Sequence, residues 1–306
     1  MTVTLWILYL DIVRFQKVLL IVNPASRRGA RVRGQTIEAF KKAGVKLDVM
    51  ETNAPGHGAQ LATAHASSYD AVFTLGGDGT AIEVVGALAH LGPPVGILPG
   101  GTGNIVARTL RTPARIRKAV PCLLDGDEAR IDLGVVNGRQ RFAIGMGVGL
   151  DATMIANAPG PLKRRIGFFA YVVGALKAFA RLDKFTLRLT VDGETRTMKA
   201  SAVLIANFGA VMSDLISFGD GIKRDDGMLN ACVYSPRNPL DALRILYKMA
   251  RKKFTPDPSI YYRSGTTFLI ETDPPRMGQA DGELIGTGPF TVTVEPLAAR
   301  VLVARR

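Results

Sequence analysis

A glycine-rich pentad is the part of the sequence with the clearest chemical meaning. It separates an apolar run from a helix-like stretch and reads Gly76, Gly77, Asp78, Gly79 and Thr80. Glycine lets the backbone approach a phosphate closely, and the first N–H groups of a helix attract an anion. A carboxylate among such amides makes sense if Mg²⁺ bridges it to nucleotide phosphates. The pentad also fits an ordinary strand-to-helix turn, with Thr80 and Glu83 as a capping box that starts the helix.

Two further loops have unusual compositions and also follow apolar runs. Residues 99–104 read Pro-Gly-Gly-Thr-Gly-Asn, and residues 23–26 read Asn-Pro-Ala-Ser. In an open parallel sheet, ligands bind beyond the carboxyl ends of the strands, where such loops converge. Because one strand–helix unit separates the pentad from residues 99–104, we expect these two loops to be adjacent. The three loops together predict a phosphate-binding edge.

The pattern of apolar and polar residues changes once along the chain. Up to about residue 132, short apolar runs alternate with helix-like stretches, which predicts a parallel sheet covered on both faces; the runs are 18–22, 47–50, 71–75 and 95–98. Beyond it, short alternating segments and Gly or Asp turns predict a second, mostly antiparallel β domain, with helices near 163–181 and 238–252. Asp192-Gly193 is a hairpin signal within that domain.

Composition limits the function classes. The 39 Lys and Arg residues exceed the 26 Asp and Glu residues and leave a net charge of +13. Such a surplus favours nucleic acid, an anionic membrane surface or nucleotide phosphates as partners. The two cysteines lack metal-ligand spacing and are typical of reduced thiols in a cytoplasmic protein. The apolar residues 2–14 fall short of the roughly 20 that span a bilayer, so we interpret them as an extension.

The order and spacing of the three loops resemble the diacylglycerol kinase catalytic domain. That family also includes sphingosine kinases, ceramide kinases and bacterial soluble lipid kinases. The resemblance extends over about residues 17–303 and includes four later segments, 130–134, 147–152, 225–229 and 281–283. These motifs are specific jointly, whereas the pentad alone is shared with NAD kinases and phosphofructokinases.

The resemblance implies an α/β plus β architecture of two domains. A Rossmann-like nucleotide-binding domain would cover residues 17–133, and residues 296–306 would return to it. A β-sandwich lipid-substrate domain would cover residues 134–295, with the active site in the interdomain cleft. Residues 1–16 would be the N-terminal extension.

The same resemblance implies an enzyme that transfers the γ-phosphate of ATP to a lipid hydroxyl with the help of Mg²⁺. Glu283 would be the general base, and Asp78 and Asp132 would belong to the magnesium and water network. A second, structural Mg²⁺ would bind Asp226 and the backbone carbonyls near Lys223 and Met228. The nucleotide would be held by Asn23, Pro24, Ser26, Thr52, Gly76, Gly77, Asp78, Gly79, Thr80, Gly101, Thr102 and Asn104.

The sequence departs from the family pattern at two places. Many relatives have an aspartate after the second glycine loop, where this chain has Ile105, which we interpret as subfamily variation. Relatives often have glycine directly after the serine of the first loop. Here Arg27 and Arg28 come between Ser26 and Gly29, and they could contact phosphate or be solvated.

Several alternatives stay open at this point. An NAD kinase-like enzyme or a non-catalytic nucleotide- or lipid-binding regulator could use the same fold. Nucleic-acid binding is not favoured, because no recognition motif accompanies the charge. Basic runs at 163–165, 251–253 and 305–306 suit peripheral attachment to the anionic inner face of a membrane, although a solvated surface explains each run alone. The identity of the lipid and the formation of a homodimer stay open.

Overall fold

The computed structural model describes residues 14–26, 28–149, 184–211 and 216–305. The first part contains β1 Lys17–Val22, α1 Gly29–Lys42, β2 Lys46–Glu51, α2 His57–His65, β3 Ala71–Gly76, α3 Asp78–Ala87, β4 Val95–Pro99, α4 Ile105–Thr109 and α5 Ile116–Leu124. The second part contains β5 Asp127–Val136, β6 Gln140–Phe142, β7 Gly145–Gly149, β8 Phe185–Val191, β9 Glu194–Ala200, β10 Ala202–Ala206, β11 Ala210–Val211, β12 Ile216–Ser217, β13 Leu229–Tyr234, α6 Pro239–Arg251, β14 Ile260–Gly265, β15 Thr267–Asp273, β16 Met277–Ala280, β17 Glu283–Thr287 and β18 Phe290–Val303.

The first part is built on a parallel sheet, as the strand–helix alternation predicts. Strands β2, β1, β3 and β4 are neighbours in that order and run parallel. The β3 residues are all buried, and in β1 only Lys17 is partly exposed, which is the pattern of strands covered on both faces. Helices α1 and α5 pack on one face, while α2, α3 and α4 pack on the other. The carboxyl ends of β1, β3 and β4 therefore point to one edge.

Strand β18 carries the same sheet into the second part of the chain. Near its end Val301 pairs with Val95 of β4 in parallel, whereas its beginning pairs with β15 in the antiparallel sense. It also pairs with β5 along most of its length, with a register shift between Glu295 and Ala299. The domain boundary expected at 133/134 lies inside β5, so the two parts share this pair of strands.

The second part is a β-sandwich, in agreement with the expected fold. A six-stranded antiparallel sheet has the order β14-β13-β10-β7-β16-β17. It faces β8, β15 and β18 of the larger sheet across one apolar core. The largest fully buried side chains of that core are those of Phe142, Phe185, Phe268 and Phe290. The result is an α/β layer joined to a sandwich.

Two Asp-Gly turns join strands in this sandwich. The predicted hairpin is confirmed, because Val191 pairs with Glu194 while Asp192 and Gly193 have φ angles of 49° and 88°. A turn of the same conformation joins β16 to β17, where Asp281 and Gly282 have φ angles of 48° and 91°. Left-handed conformations at both positions define the two-residue hairpin turn that favours Asp-Gly.

Other local expectations have mixed outcomes. Helix α6 lies where a helix near 238–252 is expected, whereas the helix expected near 163–181 lies outside the described residues. Residues 1–13 also lie outside them, but Phe15 of the expected extension packs in the core beside Val18 and Phe40. Within the described residues, no helix has the length and apolar character needed to cross a bilayer.

Candidate active site

The three predicted loops meet at the carboxyl edge of the parallel sheet. The Asn23 N–H donates to the Leu75 carbonyl at 3.0 Å, which ties the first loop to the end of β3. The Gly100 N–H donates to the Gly76 carbonyl at 2.9 Å, and the Arg28 N–H donates to the Gly100 carbonyl at 3.0 Å. The loops are thus connected by their backbones, and neighbouring parallel strands explain why.

Two glycines allow the pentad and the second loop to touch. A Cβ added to Gly101 would lie 2.5 Å from the Gly77 Cα, and one added to Gly100 would lie 2.8 Å from the Gly76 nitrogen. No side chain fits at either position. A Cβ on Gly79 would instead have no described atom of another element within 4 Å, so space is open at the start of α3.

The two kinds of glycine should respond differently to alanine. We expect Gly101→Ala to destabilise the protein by about 1–3 kcal/mol, because the loops must separate. Gly79 lies inside α3, so Gly79→Ala should stabilise the fold by up to about 1 kcal/mol but weaken ATP binding if phosphate approaches there. Thermal unfolding and calorimetric titration with ATP measure both effects. Unchanged ATP affinity in Gly79→Ala would argue against a phosphate at this helix start.

The predicted capping box is wrong. Helix α3 begins at Asp78, and no described side chain caps it at Gly77. The Thr80 hydroxyl accepts from the Asn23 side-chain amide at 3.0 Å. The Glu83 carboxylate accepts from the N–H groups of Gly56 and Gly58, at 2.9 and 3.1 Å, at the start of α2. Because Glu83 caps a neighbouring helix, it does not occupy the first N–H groups of α3, the position in a helix that attracts anions.

Asp78 is held between the pentad and α4. Its Oδ1 accepts from the Val106 N–H at 2.9 Å. Burial raises the pKa of Asp78, while the backbone N–H groups of Val106 and Ile105 lower it. Ile105 therefore contributes its backbone N–H here, at the position where many relatives carry a second carboxylate. The Ile105 side chain adds no like charge beside Asp78.

Two predicted nucleotide-binding side chains shape the loops themselves. The Asn104 side chain accepts from the Gly101 N–H at 2.8 Å and donates to the Gly101 carbonyl at 2.9 Å. The Ser26 hydroxyl donates to the Asn23 carbonyl at 2.8 Å and accepts from the Gly29 N–H at 3.1 Å. These bonds fix the loop conformations that position the backbone amides.

The remaining predicted nucleotide contacts lie around this edge. Pro24 and Thr102 are exposed on the first and second loops. Thr52 follows β2 and is buried, and its N–H donates to the Val22 carbonyl at 2.9 Å. Their contacts with a nucleotide stay a prediction.

Asp132 lies in a closed environment. It has no exposed surface, and its two carboxylate oxygens accept from the N–H groups of Gly227 at 2.8 Å and Leu297 at 2.7 Å. Its carbonyl accepts from the Asn207 side chain at 2.7 Å. Asp132 thus joins β5, the turn after Asp226 and the irregular part of β18. Its place in a magnesium network stays a prediction.

The residues expected to hold a second Mg²⁺ lie on the same turn. Lys223 and Asp226 are exposed, and the Asp226 Oδ1 accepts from the Met228 N–H at 3.2 Å. Within the described residues, no group of three or more His, Cys, Asp or Glu side chains could hold a metal. An ion at this turn would depend mainly on carbonyl oxygens and water, and it stays a prediction.

Asp281 belongs to the motif at 281–283, but the sequence did not indicate a role for its side chain. Its carboxylate accepts from three consecutive N–H groups, those of Ala143, Ile144 and Gly145, at 2.6–3.0 Å. Burial, and to a smaller extent the charge of Asp78, raises the pKa of Asp281 to about 7, although the three N–H groups act to lower it. Asp78 and Asp281 are thus two partly buried carboxylates that interact electrostatically, a combination that suits a cation. The Asp-Gly turn signal could have indicated its conformation, but not its partners.

Glu283 and the pentad line the same cleft. Glu283 begins β17 directly after the Asp281 turn and is exposed. The cleft has a volume of about 400 Å³, and Gly79 and Glu83 of α3 form one wall. Asp281 and Glu283 of the β16–β17 hairpin form the opposite wall. Gly79 of the pentad and Glu283 therefore line one cleft, while the roles of both residues stay a prediction.

Arg141 also lines this cleft and connects α3 to β18. Its guanidinium donates to both Glu295 carboxylate oxygens, at 2.7 and 2.9 Å, and to the Gly86 carbonyl near the end of α3 at 3.2 Å. Arg141 lowers the pKa of Glu295 through this bidentate pair. The link fixes α3 relative to β6 and β18. No sequence motif marks Arg141.

Comparison with known proteins identifies the family. Residues 17–136 match the model of the "Diacylglycerol kinase catalytic domain", and residues 144–303 match the "YegS C-terminal NAD kinase beta sandwich-like domain". The chain belongs to the diacylglycerol kinase catalytic domain family. The two family models together cover both halves of this kinase-family chain. The motifs that carry the resemblance lie within the matched ranges.

Individual relatives agree with this assignment. The kinase-family chain is 25% identical over 276 residues to a "Diacylglycerol kinase" of Staphylococcus saprophyticus, covering 88% of this chain and 90% of that protein. It is 30% identical over 234 residues to an "Uncharacterized protein" of Synechocystis, covering 75% of this chain but 54% of the relative. A crystal structure of "a putative diacylglycerol kinase" from Bacillus anthracis superimposes with a TM-score of 0.82 at 25% identity, covering 95% and 97% of the chains.

Proposed function

We propose that the protein transfers the γ-phosphate of ATP to a hydroxyl group of a lipid. The observation that carries the proposal is the shared cleft, which has the open start of α3 on one wall and Glu283 on the other. Phosphoryl transfer requires mainly positioning and charge neutralisation. A phosphate site facing an exposed carboxylate supplies the two protein components of such a reaction.

The nucleotide phosphates would bind at the three connected loops. The uncapped N–H groups of α3 attract anions, and the space beside Gly79 lets phosphate oxygens reach them. The bonds of Asn104 and Ser26 within their loops keep these amides in place before ATP binds. Preorganised donors need no rearrangement when charge develops on the transferring phosphate.

Two interacting carboxylates, Asp281 on the cleft wall and Asp78 in the pentad, fit a requirement for Mg²⁺. Asp78 and Asp281 are both desolvated, and the charge of Asp78 raises the pKa of Asp281. A divalent cation would relieve this repulsion, and oxygen is its preferred ligand. When bound, Mg²⁺ would supply charge neutralisation at the phosphates. Asp78 would hold it, while Asp132 would support the surrounding backbone through Gly227 and Leu297.

Glu283 would act as the general base. It is exposed in the cleft and fixed at the first residue of β17, where it pairs with Ala280. A base must come within hydrogen-bond distance of the attacking hydroxyl, which an exposed carboxylate on a rigid strand can do. The acceptor would then approach from the sandwich side, and a lipid acceptor places the protein peripherally at the cytoplasmic face of a membrane.

The decisive assay uses labelled ATP and a panel of acceptors. Diacylglycerol, monoacylglycerol, ceramide, sphingosine and a polyprenol are presented in mixed micelles, and NAD is presented without lipid. We expect phosphate transfer to at least one lipid and none to NAD. NAD is included because the second family model is described as NAD kinase β-sandwich-like. Transfer to NAD alone would establish the soluble-substrate alternative, and ATP binding without any transfer would indicate a regulator.

A further inference from the structure

Helix α6 exposes an apolar face that its packing does not use. Leu240, Leu243 and Tyr247 are spaced at i, i+3 and i+7, so they lie on one side of the helix. Their side chains are 76%, 55% and 58% exposed, respectively. Single exposed apolar residues are common, but three large ones in a row on one helix face mark an interaction surface.

The opposite face of α6 fixes this orientation. Ala242 and Ile245 are buried against Tyr234 and Cys232 of the six-stranded sheet. The Asn238 side chain accepts from the Asp241 N–H at 2.9 Å and caps the helix start. Because the inner face and the start are both anchored, the exposed face belongs to the folded helix.

Ion pairs anchor the same helix to the segment that follows it. The Arg244 guanidinium pairs with Asp257 at 2.9 Å, and the Lys248 ammonium pairs with Asp257 at 2.8 Å. Asp257 is buried beneath these cations, with only 2% of its side chain exposed. The acidic partner is therefore hidden, while the basic side chains remain near the surface.

The charge around this face is almost entirely positive. Residues 237–253 contain six cationic side chains and a single carboxylate, that of Asp241. Asp241 is buried and accepts from the Arg237 N–H at 3.0 Å. Arg251, Lys252 and Lys253 are exposed at the helix end. An apolar stripe bordered by exposed cations is complementary to a surface with an anionic outer layer and an apolar interior.

We propose that the outer face of α6 docks the protein on an anionic lipid bilayer, with the helix lying in the plane of the headgroups. Leu240, Leu243 and Tyr247 would enter the interface, and Arg251, Lys252 and Lys253 would contact anionic headgroups. A second copy of the chain is a poorer occupant, because it would bring the same excess of positive charge to the contact instead of a complementary negative one. The inference deepens the proposed function by assigning the membrane-facing element, but the docking can be measured without catalysis.

The test is co-sedimentation with vesicles in the absence of ATP. We compare wild type with L240Q/L243Q/Y247Q and with R251E/K253E, using vesicles with and without phosphatidylglycerol. Each variant should lower the partition coefficient on anionic vesicles by about tenfold or more. The charge variant should approach wild type at high salt, because screening removes the headgroup attraction. Partitioning equal to wild type in both variants would overturn the proposal.

Matched controls separate this face from general surface effects. L91Q removes another exposed leucine, which is 97% exposed, and K41E/K42E reverses two cations in the last turn of α1. Both should partition within about twofold of wild type, since neither lies on α6. Equal losses in variants and controls would overturn the assignment to α6. A wild-type dimer that dissociates in L240Q/L243Q/Y247Q without vesicles would assign the face to self-association instead.

Hydrogen exchange of the wild-type protein avoids any folding defect of the variants. Peptides from residues 239–253 should become protected when anionic vesicles are added, whereas peptides from α1 should not. Protection elsewhere without protection of α6 would overturn the proposal. Because both measurements omit ATP, failure of lipid phosphorylation would leave them unaffected, and failure of docking would leave the kinase assay in micelles unaffected.

Discussion

Replacing Glu283 with glutamine is expected to lower the turnover number of lipid phosphorylation by about 10²–10⁴-fold, the usual contribution of a general base. Glutamine preserves the size of the side chain but cannot accept the hydroxyl proton. Glu283 lies on β17, on the opposite wall from the three loops, so ATP affinity should change little. Single-turnover phosphate transfer and calorimetric ATP titration measure the two effects separately.

The chain contains its own control for this substitution. Glu194 follows Asp192-Gly193 just as Glu283 follows Asp281-Gly282, and both glutamates begin a strand after the same turn. Glu194 pairs with Arg263 at 2.7 Å and is not among the residues that line the cleft. Glu194→Gln should retain wild-type turnover. Full activity in Glu283→Gln, or an equal loss in Glu194→Gln, would contradict the role of Glu283.

Asp281→Asn is expected to change how stability depends on pH. Burial raises the pKa of Asp281 from 3.8 to about 7. The folded state then holds a proton that the unfolded chain releases, so the free energy of unfolding falls as the pH rises from about 4 to 7. Asparagine does not titrate. The stability of wild type relative to Asp281→Asn should therefore be greatest near pH 4 and smallest above pH 7, as measured by urea unfolding across this range.

For Asp192→Asn, the stability of wild type relative to the variant should depend on pH in the opposite direction. The Asp192 carboxylate accepts from Thr266 and Thr267, and these bonds lower its pKa. Its contribution to stability is present above about pH 4 and is lost as the pH falls further. If the free energy of unfolding of wild type relative to Asp281→Asn increased between pH 4 and 7, the assigned environment of Asp281 would be contradicted.

The parts of the site that the sequence predicted are those that depend on local pattern. Loops following three neighbouring parallel strands must meet, so the approach of Gly76 to Gly100 could be expected from spacing. The hairpin at Asp192 depends on two adjacent residues and was predicted correctly. Glu83 caps the start of α2 and not, as expected, the start of its own helix α3. Its partners Gly56 and Gly58 belong to a neighbouring element, which a local pattern cannot indicate.

The parts that could not be predicted depend on distant partners. Arg141 binds Glu295, and Asp281 binds the backbone of residues 143–145, across most of the sandwich sequence. The two Asp-Gly-Glu segments show the limit most clearly. They share residues and backbone conformation, yet Asp192 and Glu194 are exposed to solvent, whereas Asp281 and Glu283 line the cleft beside Gly79. The elements packed around each tripeptide, and not its own sequence, therefore decide which of the two segments lines the candidate active site.

The β5–β18 pair joins the two parts of the chain, here called lobes, into a single mechanical unit. Within the described residues, the two strands that connect the lobes are hydrogen-bonded to each other on both sides of one register shift, unlike two independent linkers. Hinge bending at the cleft would have to be absorbed where the ladder is interrupted, between Glu295 and Ala299, and there Asp132 clamps the Leu297 N–H. A chain ending at Glu295 would also lose the strand beside β4. Neither lobe is therefore a separable module.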